Sequence, residues 1–208
     1  MAKSIRDRQR QLTEEAVVMA LAQYVTETGS FDFVITDIAA RAGVSPRTVY
    51  NHFGDRQGLI EALSEFAQRE MERRGGTDIP ATLHELPGLV APNFGAMEAV
   101  PELSEAFARL DYASQPSANR ARRTVLIHEL VKAAYPDLSE RHGEVIAAII
   151  RNGASSTTWH RLTREHGLTS QEAASASAWT MRLQIEALDR GDLPDFSTED
   201  PHQASADQ

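Results

Sequence analysis

The sequence predicts an all-α protein, with a short helix-turn-helix unit at its N-terminal end and a longer helical part behind it. Three observations predict this. Apolar residues recur at helical spacing along most of the chain. Gly, Pro and Ser/Thr/Asp caps fall at the ends of those stretches. Strand-like alternation occurs at one place, Phe31 to Ile35. The 208 residues are 41% hydrophobic and 25% charged, the balance of an ordinary globular protein. That length builds a core without disulfides or structural metal.

Leu12 to Thr28 is amphipathic, with Ala16, Val17, Ala20, Leu21 and Tyr24 on one stripe, and Gly29 closes it. Thr36 is expected to cap a short helix over 37–42 that stops at Gly43. Ser45 caps the next, over 46–53, with Pro46 at the first helical position, where a missing N–H is no loss. Gly54 ends it, and Asp55 caps a longer helix running to about Arg74. Gly75, Gly76 and Pro80 then break the chain. Residues 81–136 read as several helices cut by Pro87, Pro92, Pro101 and Pro116. Residues 138–165 and 170–189 read as two longer helices joined by a turn, with Thr169 and Glu172 forming a capping box. The segment from Gly191 has five acidic residues, two prolines and one aromatic, and is expected to be disordered.

The net charge of −9 conceals a division. Residues 1–56 hold seven basic and seven acidic groups, whereas residues 75–208 hold eleven and nineteen. The acidic balance therefore belongs to the later part and does not argue against nucleic-acid binding by the earlier one. There are no cysteines, which excludes thiol catalysis and thiolate metal sites. The charged start and the shortness of the longest apolar run, Val145 to Ile150, predict a cytoplasmic protein with no membrane partner.

On a wheel of the 46–53 helix, Val49 and Phe53 fall together, and Arg47 and Asn51 project almost opposite. Thr48 and His52 lie on one flank and Tyr50 on the other. Arg and Asn can each make bidentate pairs with bases in a major groove, and Tyr, Thr and His suit phosphate. A solvated helix face would satisfy the same spacing. The segment Thr36-Asp-Ile-Ala-Ala-Arg-Ala-Gly-Val-Ser-Pro-Arg-Thr-Val-Tyr-Asn-His-Phe-Gly-Asp-Arg-Gln-Gly-Leu-Ile resembles the signature of TetR-family transcriptional regulators, over roughly residues 8–65. Two positions depart from the pattern: Arg56 stands where Lys is frequent, and Arg47 where Gly is.

The resemblance implies a homodimeric transcriptional regulator without cofactor. Its helix-turn-helix DNA-binding domain would occupy 1–56, and its helical effector-binding and dimerisation domain 57–190, followed by an acidic tail over 191–208. It implies backbone contacts to double-stranded operator DNA from Thr36, Thr48, Tyr50, His52 and Arg56, and base contacts from Arg47 and Asn51. The expected action is repression at a palindromic operator, relieved by a small molecule. The basic start, Lys3, Arg6, Arg8 and Arg10, either extends the phosphate contact or is a frayed, solvated terminus. A helical small-molecule-binding protein with weak or lost DNA binding is the competing reading.

The 138–189 hairpin, turning near Gly167, would set Trp159 against Ser175 and Trp179 against Ser155, large rings against runs of small residues. Such a surface is either subunit core or half of a four-helix dimer interface. The interface reading assigns Ile149, Gly153, Ser156, Trp159, Ala174, Ala178, Trp179 and Arg182 to it. The effector pocket is carried over from the resemblance. Phe94, Met97, Phe107, Leu110, Tyr112 and Leu126 would be its apolar lining and Arg123 and His128 its polar groups, although each also reads as ordinary core. No catalytic or metal site is expected. His128-Glu129 lacks the second His at Lys132 that a zinc motif needs. His84-Glu85 runs into Leu-Pro-Gly, and His160 and His166 fall on different helical faces. No nucleophile elbow, P-loop or dinucleotide fingerprint appears.

Overall fold

The computed structural model describes residues 4–76, 80–112 and 118–195, apart from the side chains of residues 111, 112 and 118–120. Helix α1 (Ile5–Thr28) begins a full two turns before its apolar stripe, because Ser4 caps it and accepts from the Arg6 amide at 3.3 Å. Arg10–Glu14 and Gln11–Glu15 pairs at i,i+4 support these exposed turns. Burial starts at Val17 and includes Val18, Ala20, Leu21, Ala22 and Val25. Ala16, expected on the stripe, is exposed, and Tyr24 is half-buried with its hydroxyl donating to the Asp32 carbonyl at 2.8 Å.

Residues 31–35 keep the alternation that suggested a strand: Phe31, Phe33 and Ile35 are buried, while Asp32 and Val34 face out. No strand occurs among the described residues, and this segment is an extended connection whose side chains anchor it to the core. It leads into α2 (Ile35–Arg41), whose cap position is Val34, so Thr36 lies inside the first turn and does not cap it. Helix α3 (Pro46–Phe53) matches expectation at both ends. The Ser45 side chain accepts from the Thr48 amide at 3.1 Å, and Gly54 closes the helix at φ +78°. Asp55 then caps α4 (Arg56–Arg73), accepting from the Gly58 amide at 2.8 Å. A Cβ at Gly58 would collide with the Phe53 carbonyl oxygen, so this glycine sets how closely α4 follows α3.

A 3-10 turn at Leu83–Glu85 precedes α5 (Leu86–Glu98), α6 (Pro101–Tyr112), α7 (Ala118–Ala134), α8 (Glu140–Gly153), α9 (Ser156–His160) and α10 (Ser170–Asp189). Pro92 does not cut α5 as expected. It sits on the exposed face, and the carbonyl it leaves unbonded is that of exposed Gly88, where a proline ring meets no Cβ. Pro116 and the chain beyond Asp195 lie outside the described residues.

The expected long helix over 138–165 is interrupted. Ser155 accepts from the Thr158 amide at 3.1 Å and starts α9, which unwinds into a π-turn at Arg161–Glu165. The serine run that read as a packing surface contains a helix cap. The capping box at Thr169 and Glu172 forms as expected, but α10 packs chiefly on α5 rather than back along α8 and α9. Trp159 is consequently not set against Ser175. Its indole donates to Ser170 Oγ at 3.1 Å and only 1% of the residue is exposed. Trp179 is 58% exposed and finds no seat at Ser155.

One continuous core runs from α1 through α10. The joint between the first helices and the rest is the packing of α1 on α6, reinforced by Thr26 Oγ1 donating to the Glu102 carbonyl at 3.3 Å. At the far end, Tyr135 Oη donates to Asp189 Oδ1 at 2.8 Å and His84 Nε2 lies 3.1 Å from the same atom. These bonds hold Asp189 below the usual carboxylate range, the one from Tyr135 most strongly.

Candidate nucleic-acid interface

The turn between α2 and α3 is closed by the Val44 amide donating to the Ala39 carbonyl at 3.0 Å, with Gly43 at φ +68°. Only one α3 side chain, Val49, is fully buried, and half-buried Phe53 packs beside it. Arg47, Tyr50 and Asn51 project outward, and Tyr50 keeps 53% of its surface exposed. An aromatic ring held out in water at a helix surface is costly to leave uncovered and suits a partner that offers both apolar area and acceptors. Thr48 is half-buried, with its hydroxyl 2.8 Å from Ser45 Oγ, so it belongs to the cap as well as to the face.

His52 is drawn inward. Its Nδ1 lies 3.0 Å from Glu14 Oε1 on α1, and the same oxygen accepts from Arg10 Nε at 2.9 Å. Burial pushes the Glu14 carboxyl up, but bonds from His52 and Arg10 with their charges bring it below its usual value. The Arg10–Glu14–His52 chain links α1 to α3. Glu14 has no sequence signal linking it to His52, 38 residues away. It was missed for that reason.

Beside α3, Arg6, Gln9, Arg10 and Thr13 of α1 share a shallow depression with Asn51 and His52. These four follow i, i+3, i+4, i+7 and form one face. Gln9 and Thr13 were legible by that spacing once the helix is started at Ile5 instead of Leu12. Arg8 is exposed as well, and Lys3 lies outside the described residues. The face is thus continuous from the start of α1 to the exposed side of α3.

Two expected contact residues sit elsewhere. Thr36 is exposed in the first turn of α2, 3.5 Å from Asp37 Oδ1. Arg56 turns from the α3 face. Its guanidinium donates to the Phe31 carbonyl and stacks over the Phe33 ring at 4.9 Å from the centroid. A phosphate contact from Arg56 would require it to leave both partners.

Of the residues expected around an effector, Phe94, Met97, Phe107 and Leu110 are buried together in the core. Leu126 and Arg123 on α7 are half-buried, and His128 Nε2 is 3.7 Å from Glu140 of α8. The Tyr112 side chain lies outside the described residues. Of the residues expected at a dimer interface, Ser156, Trp159, Ala174 and Ala178 are buried within the chain and offer no surface to a partner, and Gly153 is half-buried. Ile149, Trp179 and Arg182 are exposed, and Leu183, one turn from Trp179, joins them with 44% of its surface free.

Comparison with known proteins bears on both halves of this geometry. Residues 28–63, from the end of α1 into α4, match the profile of "Bacterial regulatory proteins, tetR family". The chain is 28% identical over 120 residues to the HTH-type transcriptional regulator BetI of Brucella anthropi, covering 55% of this chain and 58% of that protein. It is 32% identical over 98 residues to BetI of Brucella canis, covering 46% and 47%. The chain thus spans about half the length of the curated relatives it matches. Among solved structures, a Rhodococcus sp. protein assigned to the TetR family aligns with a TM-score of 0.60 at 22% identity, covering 83% of this chain and 98% of that one. NalD, the secondary repressor of the MexAB-OprM multidrug efflux pump in Pseudomonas aeruginosa, aligns at 0.58 and 16% identity, covering 83% and 96%. The helix-turn-helix segment is thus similar to that of the TetR family of bacterial regulatory proteins, and the all-helical fold is shared with the solved structures it aligns to.

Proposed function

We propose that this protein regulates transcription by inserting α3 into the major groove of double-stranded DNA, acting as a twofold dimer on a palindromic operator. The observation that carries the reading is the outward presentation of Arg47, Tyr50 and Asn51 opposite buried Val49, with the basic α1 face alongside. The guanidinium and the carboxamide are groups that pair with base edges, and the phenol and the α1 arginines are suited to phosphate. Cytoplasmic location follows from that role, and no helix among the described residues is long and apolar enough to cross a membrane. Repression is the action proposed, because a protein seated on duplex DNA excludes others from it and needs no further contact surface.

Dimerisation supplies the second α3. An apolar groove between α8 and α10 is lined in part by Ile149, Ile150 and Leu188, and Trp179 and Leu183 are exposed on the same helix α10; this side is the one proposed to close the twofold dimer. Small-molecule release is a population shift between dimers with different spacing of the two α3 helices. Asn51→Ala tests the base-reading role. It is expected to relax preference at one base pair by about 1–3 kcal/mol in competition binding against a panel of single-substituted duplexes. Equal weakening on every duplex would make Asn51 a phosphate contact.

A further inference from the structure

Among the described residues, two buried donors without a partner lie away from α3. A cleft of about 580 Å³ opens between the connection after α1 and the α6–α9 region, and Arg56, Arg109, His160 and Arg161 are among its lining residues. Its volume is that of a small-molecule site. Arg109 Nε and His160 Nδ1 are both buried without a hydrogen-bond partner, a state that folded proteins reserve for few groups and that calls for a reason. Arg109 is otherwise held in place: Nη2 donates to Glu105 at 3.0 Å, and Nη1 sits 3.1 Å from where a Cβ on Gly29 would stand. Gly29, at φ +70°, therefore admits the guanidinium as well as ending α1.

Arg56 is the first residue of α4 and Arg109 lies on α6, so guanidiniums come from both walls. The lining carboxylates, Asp32 and Glu165, are exposed. Thr157 lines the cleft between the charges, with the small exposed edges of nearly buried Phe31 and Ala108. Burial lowers the His160 pKa, with Glu105 and Glu165 opposing and Arg109 and Arg164 assisting. With its proton on Nδ1, the neutral imidazole is a donor in the same cleft that Arg109 lines.

We propose that this cleft binds an apolar organic molecule through its carboxylate group, one oxygen accepting from Arg109 Nε and the other from His160 Nδ1. Arg56 supplies long-range attraction from the opposite wall. The site is separate from the core where Phe94, Met97, Phe107 and Leu110 meet, and the inference does not depend on DNA binding.

The probe is 2-naphthoate, with 2-naphthamide as its uncharged counterpart, titrated into the full chain by calorimetry and by nitrogen NMR of the histidine rings. Naphthoate is expected to bind saturably with a shift at His160, and the amide at least about tenfold more weakly. Arg109→Gln is expected to weaken naphthoate binding by about tenfold or more, Arg56→Gln by about threefold, and Arg164→Gln by less than about twofold. Two variants from different helices guard against one of them misfolding, and the acid-to-amide ratio is read on the unaltered protein. Equal affinity for acid and amide, a shift confined to other histidines, or no binding up to about 10 mM would overturn the proposal.

Discussion

Trp159→Ala is expected to remove about 3–5 kcal/mol of folding stability, among the largest effects of any single truncation in this chain. The indole is 1% exposed, is the largest of the fully buried side chains among the described residues, and donates to Ser170 Oγ at the start of α10. Its loss leaves a cavity and an unpaired Ser170 hydroxyl. For a protein of this size the loss corresponds to a melting temperature lower by roughly 6–20 °C, measured by calorimetry or circular dichroism. A fall of only a degree or two would mean that the α9–α10 region folds apart from the core.

The second large effect is on assembly. Trp179→Asp places a charge on the exposed side of α10, where Trp179 and Leu183 lie one turn apart. More than half of the Trp179 surface is exposed, so the fold is expected to survive with its helical circular dichroism unchanged. In light scattering the mass is expected to fall from about twice the chain to the single-chain 22.9 kDa, since a buried unpaired carboxylate opposes association strongly. Persistence of the dimer would move the interface elsewhere.

The two tryptophans show what the sequence makes legible and where it stops. Caps written in local chemistry were readable: Ser45 with Pro46, Asp55, and Thr169 with Glu172 all stand where side-chain patterns put them. The split of α3 into a buried and an open side was readable for the same reason, since helical period fixes it. Pairings between distant helices were not. Folding the 138–189 segment back on itself gave Trp159 and Trp179 equal roles, but α10 takes α5 as its partner and separates them into core and surface. Thr36 missed its cap because burial of Ile35 pulls the start of α2 forward by two residues. His52 and Arg56 were assigned by type, and their tertiary partners Glu14, Phe31 and Phe33 lie 38, 25 and 23 positions away. The same gap hid the cleft at Arg109 and His160, which exists only after α6, α9 and the chain after α1 have met.

The most direct test of the DNA-reading face is selection of bound duplexes from a random pool, run in parallel on the unaltered protein and on the Arg47→Ala/Asn51→Ala pair. The protein is expected to enrich two inverted half-sites about one helical turn apart or somewhat more, and the double variant to lose preference at the same base pairs within each half-site. Enrichment of nothing, or an identical selected sequence from both proteins, would contradict the assignment of that helix.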